Sequence, residues 1–392
     1  MRNFFINDLL PEGFKVLLPE EAHKEETISR LILDLFFQNG YLLVKTPMIE
    51  YEDNISQNTL KSLHNESFLL IEPETKKILV LRSDITPQLA KLAATKLKHF
   101  PRPLRFAYSG EVIRNSKNNY KTEKQLKQLG VELIGGPQDN SMIEILNIAI
   151  TALQNINIKN ITIDFSLPSI FRIIDKKFNL KSKSNENIKK ALENKDTAII
   201  KNKKYNYING LILMAGTIEE ALKVYKKFIF PKKIDELLKN FFKFISVIKK
   251  TNKNLSITVD MTEGNSFLEY FNFGFKIYNK ENAKHIAIGG DYKSNNNEIG
   301  LGMTFLVSQL LESTNFKYKE KIYEIYQNIN SPNKIVYPKK IWYIQTCSTL
   351  QDLYWNWISL IKTLYFAIEY KCFDILETFP SNLLGTVIGI PA

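Results

Sequence analysis

The chain has 392 residues, 44% hydrophobic and 24% charged, with a formal net charge of +12. This composition excludes a disordered or collagen-like chain and leaves room for two or three domains. No apolar run reaches the ~20 residues of a membrane helix, two cysteines (Cys347, Cys372) cannot build a disulfide framework, and four scattered histidines have no zinc spacing. A cytoplasmic globular protein without membrane, metal or cofactor is the expectation. The segment "WNWISLIKTLYFAIEY" carries Lys362 and Glu369 and reads as a buried or partner-facing helix. The positive charge has two readings. It can mark a nucleic-acid surface, or it can reflect codon usage that fills loops with Lys, Asn and Ile. The lysines are mixed with asparagine ("NNYKTEK", "KKTNKNLS"), and no arginine stripe interleaves with aromatics, which favours the second.

In chain order, residues 11–40 predict a turn and a helix, with Ile28, Leu31, Ile32, Leu35 and Phe36 at a period near 3.6 and Gly40 as its stop. "YLLVKTPMIEY" predicts a strand that Pro47 confines to an edge, a bulge or a subunit contact. "SFLLIEPETKKILVLRSD" predicts a hairpin turning at "PETKK". "ITPQLAKLAATKL" predicts a helix with Pro87 in its first turn. The stretch 105–136 predicts two strands around a Lys- and Asn-rich loop, followed by a helix at "SMIEILNIAITALQNI". After the strand "ITIDFSL", residues 168–250 read as helical and Lys-rich. Strands return at "LSITVDM", "FGFKIYN" and "HIAIGGDY", and "GLGMTFLVSQLLES" reads as a helix. The sum is an α+β fold: antiparallel strands in one large sheet, helices packed on it, a helical insertion at 168–250, and a C-terminal appendage at 313–392 beside a core at 1–312. In the appendage, Tyr354, Trp355, Trp357, Tyr365 and Phe366 read either as a partner-binding face or as core.

Polar groups gather where strands end. In "LRSDITPQ", Asp84 and Thr86 either cap the following helix or face a cationic ligand group. Arg114 either lies on the surface or grips a carboxylate or phosphate. In "QLKQLGVELIGG", Gln128 and Glu132 share one face of a strand, which is either solvated or part of a pocket. Taken together, two carboxylates, a hydroxyl, an arginine and an amide suit an amino acid. Histidine fits, because Glu132 can accept from an imidazole N–H.

These segments carry a resemblance. From "LLPEGFKVLLPEEA" to "GLGMTFLVSQLLES" the chain resembles the catalytic core of histidyl-tRNA synthetase, a class II aminoacyl-tRNA synthetase. "GYLLVKTPMIEY" looks like the first class II motif, whose proline strand lies at a dimer interface. "LRFAYSGEVIR…KQLGVELIGG" looks like the second motif, and "IAIGGDY" looks like the family's Gly-Gly-Arg-Tyr segment. The resemblance implies a class II synthetase-like antiparallel sheet flanked by helices.

The departures point to one branch. Ser116 stands where a synthetase has its ATP-contacting glutamate, Ser266 where it has a catalytic arginine, and Val307 where the third motif has an arginine. Losing one such charge-stabilising group costs ~3–4 kcal/mol of transition-state stabilisation, so no catalytic residues are expected. The segment "LRSDITPQLAKLAATKL" is similar instead to the ATP phosphoribosyltransferase regulatory subunits of histidine biosynthesis, which are non-catalytic synthetase paralogues. That resemblance implies a hetero-octamer with a short-form catalytic subunit, a self-dimer through the first-motif region, histidine as effector, and no tRNA partner. It implies a histidine pocket of Asp84, Thr86, Arg114, Gln128, Glu132, Tyr270, Phe271 and Tyr292, with Asp291 replacing the arginine of the Gly-Gly segment. The alternatives are a degenerate histidyl-tRNA synthetase and another synthetase-like amino-acid-binding regulator.

Overall fold

The computed structural model describes residues 10–316 apart from 53–66, 116–122, 181, 183–184, 201, 253–254, 264–269, 271 and 295–297. All of them fall in one compact unit, Met1–Tyr318. The expected appendage, with its aromatic residues, lies almost wholly outside the described residues.

Helix α1 spans Pro19–Gln38, with Pro19 at its start and Glu20 and Glu21 in its first turn, where acids oppose the positive end of the helix dipole. It ends before Gly40, which takes a positive φ of 79°. Ile28, Ile32 and Phe36 form its buried stripe. Leu31, expected on that stripe, is instead 38% exposed.

The stretch "YLLVKTPMIEY" is not one strand. It breaks at Pro47 into β1 (Leu42–Leu43) and β2 (Ile49–Tyr51), which join different sheets. Side chains take over the backbone groups that a ladder would have used. Arg82 donates to the Thr46 carbonyl at 2.9 Å, and Gln88 donates to the Pro47 carbonyl at 2.8 Å. The expected hairpin forms from β3 (Leu69–Ile71) and β4 (Ile78–Leu81), antiparallel, with β2 on the other side of β4. Helix α2 follows at Thr86–Ala94.

Strands β5 (Leu104–Ile113) and β6 (Gln125–Ile134) pair antiparallel along their whole length. Helix α3 (Gln138–Asn155) and strand β7 (Ile161–Ser166) come next. The helical stretch holds α4 (Pro168–Phe178), α5 (Glu186–Asn194), α6 (Asn206–Leu213), a short strand β8 (Gly216–Thr217), α7 (Ile218–Tyr225) and α8 (Lys232–Thr251). The chain returns through β9 (Ser256–Asp260), β10 (Gly274–Asn279), β11 (His285–Lys293), β12 (Ile299–Leu306) and helix α9 (Val307–Ser313). "GLGMTFLVSQLLES" is therefore a strand before it is a helix. Leu301, Met303 and Phe305 alternate into the core with Gly300, Gly302 and Thr304 on the other face, a period of two.

The nine-stranded sheet runs β1-β5-β6-β12-β11-β10-β7-β9-β8. It is mixed rather than antiparallel, because β1 pairs parallel with β5 and β7 pairs parallel with β9. Parallel neighbours require a crossover, usually helical. The stretch α4–α8 is that crossover, so it belongs to the fold of the sheet. Its Ile170, Ile174, Leu238, Phe241, Phe244 and Ile245 join the main core. Phe165 of β7 meets Phe241 edge-on at 5.8 Å and Phe244 at 6.0 Å.

One sheet face, including Ala107, Val131, Met303, Phe275, Phe165 and Val259, packs into this core. On the opposite face a smaller cluster forms where α2 lays Ile85, Leu89 and Ala93 against Leu104, Phe106, Tyr108 and Ile134. The polar residues singled out in the sequence lie beside that second cluster.

Candidate functional site: a polar pocket on the second sheet face

Asp84 and Thr86 do not cap α2. Its N-cap is Ile85, with no side-chain cap bond. Both side chains instead reach across to β6. Gln128 donates through Nε2 to Asp84 Oδ1 at 2.8 Å, while its Oε1 accepts from the Ile85 N–H at 3.2 Å. Thr86 donates through Oγ1 to Glu132 Oε1 at 2.7 Å. Tyr292 of β11 donates its hydroxyl to Glu132 Oε2 at 2.8 Å. Gln128 and Glu132 are each 1% exposed, which removes the reading of a solvated sheet face. Buried polar groups are tolerated only when partnered, and both ends of both side chains are.

Arg114 follows the end of β5. Its Nε donates to the Ser83 carbonyl at 2.7 Å, and its Nη2 lies 3.7 Å from Asp84 Oδ1. It is anchored by one nitrogen and turned toward Asp84, so it is not a freely solvated arginine. Arg82 fixes the same turn from beneath, donating to the Glu111 carbonyl at 2.7 Å and to Thr46 Oγ1 at 3.0 Å.

Glycines make the room. Gly302 lies opposite Glu132 in register, and a Cβ there would overlap the carboxylate. Gly300 stands opposite Tyr292 and leaves space for its ring. Gly290 does the same for the ring of Tyr270, which places Tyr270 over β11, beyond Gly302 in the cross-strand row of Glu132. The hydroxyls of Tyr108 and Thr304 form a 2.6 Å bond on this face. The expected pocket residues Asp84, Thr86, Arg114, Gln128, Glu132 and Tyr292 are thus brought together, with Tyr270 at one side. Phe271 lies outside the described residues, as do Ser116 and Ser266.

Sequence reasoning missed Tyr108, Thr304, Gly300 and Gly302. Reading β12 as a helix hid three of them. The period-two spacing Gly300, Gly302, Thr304 was the available signal. Asp291 does not line the pocket, because it alternates with Tyr292 and points to the other face. There it accepts from the Asn272 N–H at 2.7 Å, from Asn272 Nδ2 at 2.7 Å and from the Phe273 N–H at 2.9 Å, fixing the segment next to Tyr270. Val307 is fully buried in the main core, so its position presents no cation to the polar face.

The electrostatics centre on Glu132. Burial pushes its carboxyl up to about 8, against the opposing pull of the Thr86 and Tyr292 hydroxyls, and the Asp84 charge adds to the rise. Burial beside Glu132 also pushes the Tyr292 phenol well above its usual value. At neutral pH Glu132 is mostly protonated and can donate to, or accept from, a ring nitrogen. Asp84 offers an acceptor to an ammonium group, and Arg114 offers donors to a carboxylate. Among the described residues, no group of three His, Cys, Asp or Glu side chains is placed to hold a metal, and no helix is long and apolar enough to cross a membrane.

Comparison with known proteins supplies the lineage. Curated relatives include the ATP phosphoribosyltransferase regulatory subunit of Paramagnetospirillum magneticum, 26% identical over 306 residues that cover 77% of this chain and 81% of that protein. The protein of the same name from Rhodospirillum rubrum is 29% identical over 288 residues, 72% of this chain and 75% of that one. A solved structure described as an ATP phosphoribosyltransferase regulatory subunit/histidyl-tRNA synthetase from Bacillus halodurans is similar with a TM-score of 0.67 at 21% identity, covering 82% of this chain and 89% of its own. A chain of the ATP phosphoribosyl transferase (HisG:HisZ) complex from Thermotoga maritima has a TM-score of 0.55 at 16% identity, covering 72% of this chain and 97% of its own. These structural likenesses establish the fold, a class II histidyl-tRNA synthetase-like mixed sheet flanked by helices. The family model for histidyl-tRNA synthetase matches residues 13–310, about three quarters of the sequence, and the chain belongs to that family.

Proposed function

We propose that this chain is the regulatory subunit of an ATP phosphoribosyltransferase, without catalytic activity of its own, which activates a short-form catalytic subunit in the first step of histidine biosynthesis and senses histidine. The observation that carries the reading is a split between two halves of a synthetase site. The amino-acid half is kept as two neighbouring polar groups on one sheet face: Gln128 and Arg114 converge on Asp84, and Thr86 and Tyr292 converge on Glu132. The half that would stabilise a transferring nucleotide is not, since Val307 occupies a helix position buried in the core. The names of the curated relatives and of the Thermotoga complex support the regulatory role.

Histidine is the ligand we assign to the pocket. Its ammonium group goes to Asp84, its carboxylate to Arg114 and its imidazole to Glu132, with Tyr270 at one side and Tyr292 behind Glu132; Phe271 is kept as an expected contact from the family resemblance alone. Inhibition then follows by linkage. Histidine shifts the complex only if it binds one quaternary state more tightly than another, by typically ~1–3 kcal/mol. The assembly is a hetero-octamer in which this chain also pairs with itself through the first-motif region. There β2, β3 and β4 leave Ile49, Tyr51 and Leu70 exposed on one face. Residues 313–392 are taken as a small separate appendage.

The test is the phosphoribosyl transfer rate of the cognate catalytic subunit, alone and with this chain titrated in, with and without histidine. The expected result is a rise that histidine reverses. A rise that histidine leaves intact sinks the sensor role of the pocket, and no rise at all sinks the regulatory reading. The second reading, a degenerate synthetase, rests on the family match. It requires histidine-dependent exchange of pyrophosphate into ATP, and none is expected.

A further inference from the structure

The positive charge is not spread along the chain. Between β7 and β9, residues 167–255 hold 21 lysines and arginines against 8 acids, while the rest of the sequence holds 32 against 33. Codon preference acts on the whole sequence and does not produce that segregation. Within the crossover, one turn stands out. The link from α7 to α8 reads "KKFIFPKK", Lys226 to Lys233. Ile229 at its tip is 94% exposed, and the four lysines around it are exposed and take part in no ion pair among the described residues.

The turn is held firmly. The Phe228 ring packs over Gly210, where a Cβ would collide with it. Phe230 is buried and stacks on Tyr225 with ring centroids 5.8 Å apart, and Tyr225 donates to Asp235 Oδ1 at 2.6 Å. With both phenylalanines turned inward, Ile229 alone is projected, on a rigid support. Lys232 and Lys233 also occupy the first turn of α8, at the positive end of its dipole, where cations are disfavoured. Nothing among the described residues rewards that placement.

We infer that the Lys226–Lys233 turn is a docking knob for a partner protein whose surface offers an apolar socket for Ile229 rimmed by carboxylates. An apolar centre within a polar rim is the usual anatomy of a protein interface, and the lysines would steer the encounter. A nucleic acid would use the lysines but leave Ile229 in water, and the turn presents no aromatic ring on which a base could stack. The inference rests on the regulatory reading in one respect: it assigns the socket to the catalytic subunit.

The test measures association of full-length chain with the cognate catalytic subunit by sedimentation velocity at two salt concentrations. The variants are Ile229→Asp and two charge reversals, Lys226→Glu/Lys227→Glu and Lys232→Glu/Lys233→Glu, each checked by circular dichroism. Ile229→Asp is expected to raise the Kd by at least about tenfold. The reversals are expected to weaken binding and flatten its salt dependence, and they carry the test if Ile229→Asp fails to fold. If wild type binds and all variants bind equally, the docking inference falls alone. If wild type does not bind the catalytic subunit, the regulatory reading falls with it. Binding of wild type to bulk tRNA or to phosphatidylglycerol vesicles, lost in these variants while the catalytic subunit binds all of them equally, overturns the inference in favour of that polyanion.

Discussion

The pocket face of β6 and the turn between α7 and α8 treat polar groups in opposite ways. On β6, Gln128 and Glu132 are almost fully buried and both ends of each are hydrogen-bonded. On the turn, Lys226, Lys227, Lys232 and Lys233 are exposed and make no ion pair among the described residues. A buried carboxyl is costly unless partnered, so each partner of Glu132 carries information about the site. An exposed lysine costs almost nothing, so a single one says little. Only its segregation from the rest of the chain, around an apolar residue, makes a statement.

The largest expected effect breaks the scaffold that the two regions share. Phe165→Ala removes the ring that joins β7 to α8 through Phe241 and Phe244. It should destabilise the fold by ~3–5 kcal/mol in urea titrations, which would show that the crossover is part of the core. The next effect separates pocket from scaffold. Glu132→Gln should weaken histidine binding by at least about tenfold in calorimetry, because the amide cannot reproduce the carboxyl group's donor and acceptor pattern toward a buried ring nitrogen. The same variant also tests the burial of the carboxyl. Its folded value of about 8 lies above its usual unfolded value of 4.5, so folding favours the protonated form. The stability this provides is complete below the unfolded value and is lost as pH rises through the folded one. Wild type should therefore lose stability relative to Glu132→Gln between about pH 4.5 and 8, at a slope of at most roughly 1.4 kcal/mol per pH unit. A pH-independent difference between the two would refute the burial.

Smaller again is Asp291→Ala. It strips the acceptor from two backbone N–H groups and from the Asn272 amide, at a cost of ~1–3 kcal/mol in stability. Because those groups hold the segment next to Tyr270, histidine affinity should fall as well, whereas association with the catalytic subunit should not change. A variant that weakens assembly but leaves histidine binding intact would show that Asp291 serves the wrong region.

The pocket was legible in the sequence mainly through the spacing of Asp84 and Thr86 and the alternation of Gln128 and Glu132. Each of these has a bland reading alone, and only contact between the two segments decides between them. That contact depends on the turn held by Arg82, which periodicity does not reveal. The β3–β4 hairpin and α2 were legible because local turn and first-turn signals fixed them. Strand β12 was not, because glycines at alternate positions carry no hydrophobic signal, yet those glycines are what admit Glu132 and Tyr292. The role of the crossover was hidden for another reason. Its lysines dominate the composition, while the residues that join the core, such as Ile174 and Phe244, are spaced at helical period among them. The break at Pro47 was half legible: the proline excluded a central strand, but only Gln88 and Arg82 explain where the freed carbonyls turn.

The smallest expected effect tests whether lysines in the crossover are interchangeable. Lys239 lies on α8 a few residues beyond Lys233 and is also exposed to solvent. It is, however, neutralised by Asp235 in an i,i+4 pair at 2.7 Å. Such pairs on an exposed helix contribute little, so Lys239→Ala should leave the melting temperature unchanged. Its influence on assembly should also be small, because the charge it removes is already balanced by its neighbour. The reversal at Lys232 and Lys233 removes charge that no described residue balances. If Lys239→Ala weakened association with the catalytic subunit as much as that reversal did, the total charge of the helix would govern binding. The knob around Ile229 would then have no special place in it.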